Sequence, residues 1–98
     1  MALDTGTSSE ADDSLSPATK DRVAAGIMVV LAEHGAMTDE QIVEHYHARA
    51  KTQSSVPHVT AQRIRTVRAD LVRVGHVRDA GLLAYSRLGN RATAWTLA

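Results

Sequence analysis

Residues 59–77, "VTAQRIRTVRADLVRVGHV", carry two patterns at once, and their reading decides the fold. With each residue turned by about 100°, Ile64, Val67, Leu71 and Val74 fall within a narrow arc, which predicts an amphipathic helix from Val59 or Thr60 to Val74. Gln62, Arg65, Thr66, Ala69 and Arg73 fall on the opposite side, with Arg63 and Arg68 on the flanks. Gly75 stands where a C′ glycine ends a helix. The stretch holds four arginines and one acid, Asp70, so its apolar face is aimed at a core and its charge at something else.

Working upstream, "AMTDEQIVEHYH" spells a helix entry. Thr38 as N-cap places Gln41 at N3, a capping box, and Asp39 and Glu40 favour the positive end of the helix dipole. Met37 and Ile42 occupy the positions of a hydrophobic staple, and Ile42, Val43 and Tyr46 are expected to face inward. This helix is expected to end between His47 and Ala50, before the polar connection "KTQSSVPH". An earlier helix opens at Ser16-Pro17 or Thr19, with Val23, Ile27, Val30, Leu31 and His34 on one face and Gly35 as its stop.

Downstream the period falls from 3.6 to 2. "HVRDAGLLAYS" and "RATAWTL" read as strands joined by "RLGN", whose Gly89-Asn90 suits a hairpin loop with positive φ. Thr93, Trp95 and Leu97 share one face of the second strand, with Trp95 in the core. The fold class is therefore mainly α with a small β-hairpin: three helices, then two strands.

The 98 residues suffice for one domain with one modest core, assigned to residues 17–98. Residues 1–16, rich in Ser, Thr and Asp, are expected to be a disordered acidic tail. The tail lacks the basic and apolar regions of a secretory signal, and no apolar run approaches the roughly 18 residues that span a bilayer. Cysteine is absent, which excludes disulfides and thiolate metal sites and fits a cytoplasmic setting. Formal net charge is zero, yet residues 1–48 hold two bases against nine acids, a net of −7. Residues 49–98 hold nine bases against two acids, a net of +7, and such a half-molecule attracts a polyanion.

Catalysis finds little support: there is no cysteine nucleophile and no glycine-rich phosphate loop. Of the five histidines, His45 and His47 are nearest in sequence, but residues two apart on a helix point about 200° away from each other. No enzyme activity, metal or cofactor is expected. Double-stranded DNA fits better. Arginine bonds bidentately to guanine and glutamine to adenine, so Gln62, Arg65, Thr66 and Arg73 are the expected base readers, and small Ala69 permits close approach. Thr60, Arg63 and Arg68 are placed at the edges of the same contact, where Arg63 and Arg68 can reach phosphates or pair with Asp70 or other acids. Arg87, Asn90 and Arg91 are placed on the hairpin.

These residues carry a family resemblance. Ile64, Arg65, Arg68, Leu71, Gly75 and Val77, followed by Gly89, Arg91, Ala92, Trp95 and Leu97, resemble the recognition helix and wing of winged helix-turn-helix proteins. The match is nearest to the small MarR-like DNA-binding proteins of actinobacterial phages and their hosts, and covers about residues 20–98. It implies a helix in the major groove, wing arginines Arg87 and Arg91 on phosphate or in the minor groove, and a role in transcription or phage regulation. The chain departs from that pattern in its long connection between the second and third helices and its acidic first half. The alternative is a winged-helix interaction module that docks on a host or phage protein through its acidic helices. A homodimer is the other partner considered, since a single module buries little DNA surface.

Overall fold

The computed structural model describes residues 16–98. Ser16 caps helix α1, Pro17–His34, by accepting from the Thr19 N–H, and Pro17 fits the first turn. The remainder of the expected tail, residues 1–15, lies outside the described residues. Strand β1, Met37–Thr38, leads into α2, Asp39–Thr52, and α3 spans Ala61–Arg73. Strands β2, Val77–Asp79, β3, Ala84–Tyr85, β4, Arg91–Ala92, and β5, Ala94–Leu97, complete the chain. The result is three helices and a small antiparallel sheet.

The core forms where the three helices meet. Val23, Ile27, Val30 and Leu31 of α1 pack with Ile42 and Tyr46 of α2 and with Ile64, Val67 and Leu71 of α3. Met37 and Val77 close it from the strands. Two expected core residues differ. His34 is exposed, because α1 ends there and its ring stacks instead on His45, centroids 4.1 Å apart. Val74 is 64% exposed, since it is the C-cap of α3 and has left the apolar arc.

The capping box of α2 forms as read. The Gln41 N–H donates to Thr38 Oγ1 at 3.4 Å, and the Thr38 N–H to Gln41 Oε1 at 2.9 Å. The helix runs to Thr52, two residues past its expected limit, and α3 begins at Ala61, so the connection is shifted to residues 53–60 and keeps the length that "KTQSSVPH" suggested. That connection is fixed to α2. The Tyr46 hydroxyl donates to the Pro57 carbonyl at 2.7 Å, the His47 ring N–H to the Val59 carbonyl at 3.0 Å, and Val56 is buried. Burial pushes the Tyr46 hydroxyl pKa up to about 12. Gly26 of α1 supports the same ring, for a Cβ there would stand 2.8 Å from Tyr46 Cε2.

The two-residue β1 was not foreseen. It pairs antiparallel with β5, Met37 opposite Trp95, and β5 also pairs with β2, Val77 opposite Leu97, giving the order β1-β5-β2. The expected hairpin is present but interrupted. Gly81, at φ 74°, and Thr93 break its arms, leaving β3 and β4 as a separate two-stranded tip. Thr93 is exposed and Trp95 half-buried, so the expected shared face is only partly covered. At the turn Gly89 has φ 87°, whereas Asn90 has not entered the positive region.

Candidate functional site

Helix α3 and the hairpin hold all ten residues expected at a site, and the structure divides them. Thr60 caps α3 by accepting from the Arg63 N–H at 3.1 Å. Gln62, Arg65, Thr66 and Ala69 are exposed along the first two turns, with the Thr66 hydroxyl donating to the Gln62 carbonyl at 3.0 Å. They lie opposite buried Ile64, Val67 and Leu71, so the apolar face determines which polar side chains look outward. Among the described residues Arg65 makes no ion pair.

The other arginines of α3 have different surroundings. Arg63 is half-buried on the flank. Arg68 makes a two-pronged contact with Asp39, Nε to Oδ1 at 2.8 Å and Nη2 to Oδ2 at 2.7 Å. Its guanidinium carbon sits 4.0 Å from the centroid of the Trp95 ring, a cation–π stack. Arg68 therefore ties α3 to the first turn of α2 and to β5. Arg73 pairs with Asp70 on its own helix, and Asp70 also accepts from Lys20 at 2.7 Å. Arg73 also lies about 16 Å along the axis from Gln62, at a rise of about 1.5 Å per residue. The outward surface with polar groups left over is thus the first half of α3.

No family model, curated protein or solved structure matches the chain.

The β3–β4 hairpin stands beside β1 and the first turn of α2, across a cleft of about 280 Å³ lined by Thr38, Asp39, Glu40, Ser86 and Trp95 among others, with Arg68 reaching in from α3. Its tip is pinned. The Arg87 backbone N–H donates to Glu40 Oε1 at 2.7 Å, and the Arg87 guanidinium lies 3.9 Å from the Glu44 carboxylate. Asn90 and Arg91 are exposed, and Arg91 makes no ion pair among the described residues. Sequence reasoning left Arg68 to phosphate or an acid without naming Asp39, and did not anticipate Glu40 beside Arg87, because those pairs span 29 and 47 residues. It also missed an exposed apolar set on the hairpin, Leu82, Leu83, Tyr85 and Leu88. A leucine inside the turn sequence "RLGN" was the one signal that could have revealed it.

Among the described residues no group of three or more His, Cys, Asp or Glu gathers as metal ligands, and no helix is long and apolar enough to cross a membrane.

Proposed function

We propose that the chain is a winged helix-turn-helix protein that binds double-stranded DNA, with α3 in the major groove and the β3–β4 hairpin as the wing. The observation that carries this reading is the outward face of α3. Gln62, Arg65, Thr66 and Ala69 are exposed together, and Arg65 alone combines full outward aim with the lack of an acidic partner among the described residues. Arginine and glutamine one turn apart on a helix offer guanine and adenine edges the bidentate partners they accept, with Thr66 and small Ala69 letting the backbone approach. Arg91 and Arg87 on the wing supply contacts to phosphate or the minor groove, which give affinity rather than sequence.

Arg68 is a positioning residue in this reading, because its fork is already filled by Asp39. Arg73 contributes at most a phosphate contact from the far end of the helix. No catalytic step, metal or cofactor enters, and the role that fits is transcriptional or phage-type regulation in the cytoplasm. Docking through the acidic helices is the weaker reading. Asp39 and Glu33 already accept from arginines of the same chain, and Glu40 holds the hairpin backbone.

Selection of bound sequences from a random duplex library at about 50 mM salt tests the proposal. Enrichment of a short motif is expected, doubled as a pseudo-palindrome with half-sites about one helical turn apart if the chain binds as a symmetric dimer. Retention of no duplex at that salt contradicts it.

A further inference from the structure

We infer that Leu88 is an apolar wedge, which the hairpin inserts between base pairs from the minor groove so that the bound duplex is unstacked and bent. The inference rests on the DNA-binding reading above and adds to it a residue, a groove and a deformation.

Leu88 is 86% exposed, more than any other large apolar residue among those described. Burying a leucine side chain is worth about 1.5–3 kcal/mol, so holding one in water at a rigid tip leaves that stabilisation available to a partner. The tip is rigid by construction. The Gly89 N–H donates to the Ser86 carbonyl at 2.9 Å, closing a turn with Arg87 and Leu88 at its centre. The Ser86 N–H donates to the Asn90 carbonyl at 2.7 Å, and the Asn90 N–H returns to Ser86 Oγ at 3.3 Å. Gly89 takes the positive φ that a three-residue hairpin loop needs at its last position. The Arg87 N–H also donates to Glu40, which ties the tip to α2 and lowers the ordering cost of binding.

The neighbours of Leu88 set the chemistry of what receives it. Arg91 is exposed with no ion pair among the described residues, and the Arg87 side chain is 74% exposed. A single apolar prong between two arginines suits a base step between two phosphate strands, where the leucine replaces lost stacking and the guanidinium groups meet the backbone. A protein partner suits it less, because a stable interface needs about 800 Å² from each side and this tip is one side chain wide. The stem residues Leu82, Leu83 and Tyr85 are where self-association would occur, and the test separates that outcome. Pyrimidine–purine steps unstack most readily, so TA and CA steps are the expected sites of insertion.

The test uses the full chain and a duplex of about 20 base pairs, two helical turns, with guanines in its outer turns for Arg65 and TA steps at its centre. It carries 2-aminopurine at the centre and a donor–acceptor dye pair at its ends. Binding by the parent chain is expected to raise 2-aminopurine fluorescence and bring the ends together. Leu88→Ala is expected to keep the unfolding midpoint and the salt dependence, lose both signals, and bind about tenfold more weakly. If Leu88→Ala binds and unstacks like the parent, the wedge is overturned while the DNA-binding reading stands. If the parent binds without either signal, the wedge is equally overturned. If the parent retains no duplex at about 50 mM salt, both fall. If sedimentation shows that Leu88→Ala breaks a dimer while both optical signals persist, Leu88 belongs to a self-association surface and the wedge is contradicted.

Discussion

The seam between α2 and α3 and the tip of the hairpin are built from similar residues put to opposite ends. At the seam Arg68 is bonded twice to Asp39 and covers the Trp95 ring, while Tyr46 is wholly buried with its hydroxyl on the Pro57 carbonyl. At the tip Leu88 is exposed and Arg91 makes no ion pair among the described residues. The guanidinium at the seam holds three elements in register. Arg65 on the outward face and Arg91 on the hairpin make no ion pair among the described residues, and in the proposed reading they meet a partner. Charge on α3 is therefore not one property: position on the helix decides whether an arginine is bound into the fold, as Arg68 is, or stands exposed without an ion pair among the described residues, as Arg65 does.

The contrast is sharpest if the seam is broken first. Arg68→Ala leaves the half-buried Asp39 carboxylate without its fork and uncovers Trp95, and is expected to cost about 2–3 kcal/mol in urea unfolding. A loss below about 0.5 kcal/mol, the range of ordinary surface substitutions, would remove Arg68 from the structural group. Gly26→Ala pushes a methyl group against the Tyr46 ring and should cost about 1–2 kcal/mol, overpacking outweighing the gain in helix propensity.

Tyr46 extends the comparison to pH. Its hydroxyl pKa lies near 12 in the folded chain against about 10 when unfolded, so the neutral form is the one the fold favours. Stability is accordingly full below pH 10, falls as pH rises from about 10 to 12, and levels off above that. Tyr46→Phe should lose about 1 kcal/mol at neutral pH with the Pro57 contact, and should show a shallower alkaline decline in urea titrations. On the wing side the effect is smaller and has the opposite sense. Glu44→Gln frees Arg87 from an exposed, distant carboxylate, leaves the unfolding midpoint unchanged, and should tighten duplex binding by about two- to fivefold at low salt.

Much of this fold was legible because its signals are local. Thr38 and Gln41 stand three residues apart and their capping box forms as spelled, and Gly75 ends α3 with φ 91°. The apolar arc of Ile64, Val67 and Leu71 is buried as the period required. What escaped is non-local. Met37-Thr38 is a strand only because Ala94 and Trp95 lie beside it. Spacing separates flanking Arg68 from outward Arg65, but the acid that claims Arg68 is Asp39 from another helix, which spacing does not name. Arg87 and Arg91 are legible as charge on a hairpin, while the acids that hold Arg87 and the apolar Leu88 at the apex depend on how the hairpin folds back toward α2.

The central claim is that the outward face of α3 binds a duplex, and Arg65→Ala tests it most directly. Arg65 touches neither the core nor an acid among the described residues, so the variant should unfold at the parent midpoint. Duplex affinity should fall by about 1–3 kcal/mol, with binding by the parent chain weakening steeply as salt rises. Equal duplex affinity for parent and Arg65→Ala at low salt would contradict the account.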